Sequence, residues 1–423
     1  MGEPVPVPTK LVARTARLDT EIDLLEFAGD DGVLFEKGRR GLAGRGIALT
    51  IDVPRAAPSR AAEVVGDALA AIECDDAVGL PGCGPVAFGA LPFAPSTPGQ
   101  LVVPTLVAGR ADDGTRWVTT VTEDGTDPIE ALQRAVDDRC HTGEGQRRID
   151  AVDFSVRSSR TPTDWCSAVA AARDAIRAGR ARKVVLAREV IVTTSAPLSR
   201  HTVLSRLRAA YPGCFVYSIG ALVGASPELL VGRSGDIVRS HPMAGTAPRS
   251  GDPSTDARLA AALLSSAKDQ EEHRITIDMV HDTLLPWCSY LDEEAEPSIV
   301  AVANVQHLAT MVEGRLSSPP ASVVELMTAL HPTPAVCGHP RDEALALIAE
   351  YEGLDRGSYA GPVGWVDAIG NGEWAVGIRC AAIDGTTARL YAGVGVVADS
   401  DPLAELAETQ AKLQALLGAI IRP

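Results

Sequence analysis

Two acid pairs in this chain share one spacing. Asp269 and Glu272, in KDQEEH, and Glu405 and Glu408, in DPLAELAETQAK, each stand three residues apart. On a helix that spacing puts both carboxylates on one face. Two such helices could hold one hard divalent cation, Mg²⁺ above all, with waters completing an octahedron. Lys412 falls with Glu405 and Glu408 inside an arc of about 60°. Taken alone, the same residues equally describe solvated helix faces of an acidic protein.

Lys183 and Glu228 are the next candidates, because each sits among apolar residues in a strand-like run, KVVLAREVIVTT and SPELLVGRSG. Burial disfavours the charged form of either group, which would suit one as a base and the other as an acid. Arg379, in WAVGIRCAAI, reads as a cation in the middle of an apolar strand, where a carboxylate or an anionic ligand should await it. His307 and Thr310, in HLAT, fit a pocket wall or a satisfied core histidine. Gly393 and Gly395, two apart in YAGVG, share one strand face and permit close approach to the backbone.

Helices and strands must position these groups. Asp401 or Ser400 can cap a helix whose first turn holds Pro402, and Leu406, Leu413, Leu417 and Ile420 give it an apolar stripe. Periodicity predicts further helices over Arg55–Ile72, Asp127–Arg139, Thr163–Gly179, His201–Tyr211, Val323–Leu330 and Arg341–Tyr351. Another runs over Asp256–Trp287 with a break near Ser266. Lys183–Thr194 alternates with period two, as do GIALTIDVP, PVAFGALPF and QLVVPTLVAGR. Residues 1–20 read as a Pro-rich tail leading into a first strand, and about 140–162 as a polar linker or surface crossing. Strands joined by short turns, without regular βαβ alternation, predict an α+β fold with largely antiparallel sheets.

The chain has 423 residues, 46% of them hydrophobic, and a net charge of −16. That balance offers no basic footprint for nucleic acid and would be repelled by anionic lipid. Eight cysteines without a CxxC pair do not suggest a disulfide scaffold. The N-terminal MGEPVPVPTK lacks a secretory signature, and no apolar run reaches membrane-span length. A reduced, cytoplasmic protein without membrane attachment is expected. Any anionic substrate must rely on a few local cations or a metal ion.

Together these segments resemble the chorismate-utilising enzymes, which include isochorismate, salicylate, anthranilate and aminodeoxychorismate synthases. The resemblance covers about Thr163–Ile420, through KVVLAR, GASPELL, HPMAGT, the KDQEEH helix, HLAT, LHPTPAVCG, RGSYAGPVGW, IRCA, YAGVG and DPLAELAETQAK. Residues 1–160 match more loosely, mainly in PVAFGALPF. The resemblance implies a single domain over 1–423, built from two large packed sheets with helices outside. Its N-terminal half (about 1–160) is divergent and its catalytic half (about 161–423) bears the motifs.

Within that family, Lys183 matches the lysine of isochorismate and salicylate synthases, where anthranilate-forming relatives typically carry Gln. Ala244 stands where aminodeoxychorismate synthases carry a nucleophilic Lys. LHPTPAVCG replaces the loop of the aminating enzymes, and Ala335 stands where salicylate synthases usually have Thr. The resemblance therefore implies an isochorismate synthase, an isomerase (hydroxymutase) of menaquinone or siderophore biosynthesis, with salicylate synthase as the alternative. Lys183 would be the base toward water at C2 of chorismate, and Glu228 the acid toward the C4 hydroxyl. Mg²⁺ would be held directly by Glu272 and Glu408, with Asp269 and Glu405 acting through water. Arg379, Tyr359 and the backbone at Gly393 would hold the enolpyruvyl carboxylate. Gly245, Thr246, His307, Thr310, Ala335, Gly395 and Lys412 would line the rest of the substrate site. A monomer without a glutaminase subunit is implied.

Overall fold

Alternation along the strands sorts side chains onto two faces, and the architecture follows from what covers each face. In the strand Val33–Lys37, Phe35 enters the core between two sheets while Leu34 enters a second core beneath helices. Its neighbour Phe215–Ile219 repeats the division, with Tyr217 on the first side and Val216 on the second. Phe35 and Phe215 stack across the pair at 5.2 Å. The computed structural model describes residues 10–142, 153–302 and 305–421. Most of the expected tail, and the middle of the expected polar crossing at 143–152, lie outside these residues.

Among the described residues there are sheets of 13, nine and three strands. The largest joins strands from both halves of the chain, since Val33–Lys37 pairs with Phe215–Ile219. Pairing is antiparallel except between Val12–Arg17 and Glu73–Asp76. This is the expected α+β arrangement of two large sheets, with a small third sheet added. The first core lies between the large sheets, where Val86, Phe88, Val363 and Trp374 meet Phe35, Leu42 and Tyr217. The second is closed by helices Leu24–Ala28, Arg200–Ala210 and Pro402–Ile421, through Leu25, Leu204, Leu207, Leu413 and Leu416. Each such leucine contributes about 1.5–3 kcal/mol relative to exposure.

The site rests on one strand pair. Lys183–Thr194 runs antiparallel to Thr387–Val396, which sets Val185 opposite Gly395 and Ala187 opposite Gly393. Behind the pair lies a buried ion pair, Glu352 with Arg356, at 2.6 Å. Glu352 also accepts from the Ala187 N–H at 2.7 Å, and Arg356 donates to the carbonyls of Val185 and Val336 at 2.8 and 2.9 Å. These bonds tie the Lys183 strand to the loop His331–Cys337 and to the end of the helix Arg341–Tyr351. A buried pair of this kind adds little net stability over an apolar replacement, but truncating one partner would leave an uncompensated buried charge.

The expected helix break is present. Pro253–Ser265 and Ala267–Leu284 are separated by Ser266, whose extended backbone lets its hydroxyl accept from the Asp269 N–H. A cap at that point starts the second helix with Asp269 in its first turn, a favourable place for a negative charge. Asp401, rather than Ser400, caps the last helix, its carboxylate accepting from the Ala404 N–H at 2.9 Å.

Two local expectations are corrected. Glu228 is not inside a strand: it stands in the connection between Leu222–Ser226 and Leu229–Ser234. Arg379 is not mid-strand either, because Gly372–Val376 ends before it and Cys380–Asp384 begins after it. Its φ of 52° is the left-handed region, which breaks the strand where an uninterrupted apolar run suggested continuity. Both departures place a polar side chain at a strand end, where it can leave the sheet.

Candidate active site

Lys183 opens its strand and is buried, and its Nζ donates to Glu272 Oε1 at 2.7 Å. The glycine opposite makes room for this pair. A Cβ on Gly395 would stand 2.9 Å from Lys183 Cε and 3.3 Å from Glu272 Oε1. Burial works to raise the Glu272 carboxyl, but the Lys183 ammonium and its hydrogen bond outweigh this and hold it below the ordinary range.

Lys412 arrives from the last helix. Its Nζ donates to Gly393 O at 2.9 Å and is paired with Glu408 Oε1 at 2.6 Å. Burial pulls this ammonium down, opposed by Glu408 and more weakly by Glu272. Lys412 is therefore within electrostatic reach of one acid from each predicted pair. Glu405, one turn before Glu408, is half-buried; burial pushes its carboxyl up, and the neighbouring Glu408 charge adds to that. Asp269 faces the same region through Gly245, where an added Cβ would lie 3.3 Å from Asp269 Cβ.

Glu228 is buried, and burial raises its carboxyl to about 8 against the pull of the Met243 N–H, Arg379 and Lys183. A carboxyl held there is protonated at neutral pH and can donate. Arg379 Nη2 meets His307 Nε2 at 3.1 Å, and His307 Nδ1 lies 3.1 Å from Thr246 Oγ1 and 3.3 Å from Gly245 O. His307 comes from Val305–Ala309 and Thr246 from Met243–Pro248, adjacent strands of the small sheet. Tyr359 is buried and stacked on Tyr391 at 5.0 Å, and a Cβ on Gly393 would come within 2.9 Å of its hydroxyl oxygen.

The predicted residues thus assemble in three linked groups. Lys183, Glu272 and Gly395 form the first, and Glu408, Lys412, Gly393 and Tyr359 the second. Arg379, His307, Gly245 and Thr246 form the third, and Glu228 responds to the charges of Lys183 and Arg379. Thr310 is bonded elsewhere, to His273 Nε2 at 2.8 Å. Ala335 is half-buried in the loop before Gly338–His339. Sequence reasoning missed His273 as the Thr310 partner, although it adjoins Glu272 in KDQEEH. It also missed that Lys183 and Glu272 touch, since no spacing rule links residues 89 positions apart.

The four acids fit a hard dication in donor chemistry, being carboxylate oxygens alone, and Glu405 is an acid that a nearby positive charge would stabilise in ionised form. Among the described residues, however, no three acid, His or Cys side chains are gathered as a metal cluster. The acids assigned to direct contact, Glu272 and Glu408, have lysine ammoniums as partners instead.

The model of the family described as chorismate binding enzyme matches residues 31–421. The chain belongs to the chorismate-binding enzyme family. Isochorismate synthase DhbC of Bacillus subtilis is 41% identical over 278 residues, 63% of this chain and 70% of that protein. Isochorismate synthase EntC of Escherichia coli is 34% identical, across 79% of this chain and 80% of its own length. The solved structure of MenF, the menaquinone-specific isochorismate synthase of Escherichia coli, superposes with a TM-score of 0.80 at 22% identity. That likeness covers 99% of this chain and 96% of the other, and it carries the fold of the chorismate-binding enzymes across both halves. Among the described residues, no helix is long and apolar enough to cross a membrane.

Proposed function

We propose that the chain is an isochorismate synthase, a Mg²⁺-dependent isomerase acting on chorismate. The observation that carries this reading is the pairing of opposite tasks in one site. Lys183 is buried, and Glu228 is a buried carboxyl held protonated and near enough to feel the charges of Arg379 and Lys183. Replacing a ring hydroxyl needs both, a base for the incoming water and an acid for the departing hydroxyl.

Lys183 takes a proton from the water that attacks C2. Its partner in the free chain is Glu272 Oε1 at 2.7 Å, so the incoming water competes with that carboxylate for the lysine nitrogen. Glu228 donates its proton to the C4 hydroxyl oxygen as the C4–O bond breaks. The new C2–O bond and the lost C4–O bond leave the atom count of chorismate unchanged once one water enters and one leaves. Arg379 and the Tyr359 hydroxyl hold the enolpyruvyl carboxylate, and Lys412 contributes positive charge near the ring carboxylate. Glu272 and Glu408 would hold Mg²⁺ directly, Asp269 and Glu405 through water; when bound, the ion neutralises and orients the ring carboxylate. In a chain of net charge −16, these local cations reverse the field that a dianion would meet.

Product analysis after incubation with chorismate and Mg²⁺ tests the reading.

A further inference from the structure

His307 is buried and bonded at both ring nitrogens, and its partners fix where its proton sits. A guanidinium offers only N–H donors, so at 3.1 Å from Arg379 Nη2 the His307 Nε2 must be an acceptor. The ring proton is then on Nδ1. There the Gly245 carbonyl at 3.3 Å can only accept, and the Thr246 hydroxyl at 3.1 Å can accept as well. A doubly protonated ring would turn an N–H toward a guanidinium N–H. The charged groups that face the ring, Arg379 and Lys412, are both cations, and together with burial they hold the imidazole well below its ordinary range.

Arg379 itself is held in an uncommon conformation. Its φ is 52°, in the left-handed region that costs a non-glycine residue energy unless the surroundings determine it. Its carbonyl accepts from the Ala225 N–H at 3.1 Å, and one guanidinium nitrogen is fixed by His307. Backbone and side chain are thus anchored separately, leaving the other guanidinium nitrogens free of that contact.

We propose that His307 is a positioning residue, a neutral imidazole protonated on Nδ1. Its Nε2 lone pair fixes one arm of Arg379 so that the rest of the guanidinium presents itself to a substrate carboxylate, and it exchanges no proton in the reaction. The role of Arg379 in this statement rests on the proposed function; the tautomer does not.

The first test is ¹⁵N NMR of the full-length protein labelled at histidine, with His307 assigned by its loss in H307Q. One ring should keep the neutral Nδ1–H pattern from pH 6 to pH 9. A proton on Nε2, or titration of that ring in this range, would overturn the proposal. The second test compares H307F, which has no acceptor, with H307Q, whose amide oxygen can reach the Nε2 position. H307F should raise KM for chorismate about tenfold with little change in kcat, as expected for loss of one hydrogen bond to a charged group. H307Q should recover most of that loss, and the kcat–pH profile should keep its shape. A fall in kcat at constant KM in H307F, or no recovery in H307Q, would refute the positioning role. Were the wild-type protein to make no isochorismate, the proposed function would fail while the NMR result still decided the tautomer.

Discussion

Lys183 Nζ and Glu272 Oε1 are 2.7 Å apart, so the residue proposed as base and one proposed metal ligand are partners of each other. The contact couples two functions that resemblance assigns separately. Any cation that draws the Glu272 carboxylate competes with the Lys183 ammonium, and removing the ammonium should favour that cation.

Lys183→Ala is therefore expected to do two opposite things. Turnover should fall by about 10³-fold, the scale of a lost general base. Mg²⁺ binding, measured by calorimetry without substrate, should tighten, because Glu272 no longer has an ammonium to surrender. Weaker Mg²⁺ binding, or near-normal turnover, would separate the two residues functionally.

Glu228 gives a pH dependence whose sign is set by its direction of shift. Its carboxyl is raised by burial from an ordinary 4.5 to about 8, so it is protonated and competent below about 8. Activity should decline as pH rises through that value. Stability moves the same way: between about 4.5 and 8 the unfolded chain gives up this proton while the folded chain keeps it, which favours unfolding progressively. Glu228→Gln removes that penalty. It should lower kcat by about 10²-fold or more yet raise the melting temperature at pH 8 by roughly 3 °C. A variant less stable than wild type at pH 8 would contradict the assignment.

Gly395→Ala tests the close approach. The new methyl would stand 2.9 Å from Lys183 Cε and 3.3 Å from Glu272 Oε1, so the paired side chains must be displaced from their present positions. We expect kcat to fall about 10²-fold, the scale of a misplaced catalytic group, while the circular dichroism spectrum stays that of the wild type. Unchanged kcat would show that Lys183 has room to spare.

The two acids of the last helix should differ. Glu408→Ala is expected to weaken Mg²⁺ binding more than Glu405→Ala does, as read by calorimetry with saturating chorismate. Equal losses would contradict the assignment of Glu408 to direct contact and Glu405 to contact through water.

Much of this was legible in the sequence for physical reasons. The capped helices and alternating strands carry local periodicities, so Lys183–Thr194, Ala267–Leu284 and Pro402–Ile421 lie close to where pattern and caps place them. What pattern could not show were departures from periodicity at single residues. Arg379 and Glu228 sit in apolar runs that read as unbroken, yet each stands outside a strand, because a left-handed φ and a strand connection leave no trace in hydrophobicity. The Lys183–Glu272 and Arg379–His307 contacts join residues 89 and 72 positions apart and depend on how sheets and helices stack. Motif order chose the candidate residues; only the fold told which of them touch.

The most direct test of the central claim is separation of the products formed from chorismate by the purified chain with Mg²⁺, without ammonium or any partner protein. Isochorismate as the main product, lost on chelation and restored by Mg²⁺, is the predicted result. Salicylate with an equal amount of pyruvate as the main product, or turnover that requires ammonium, would contradict it.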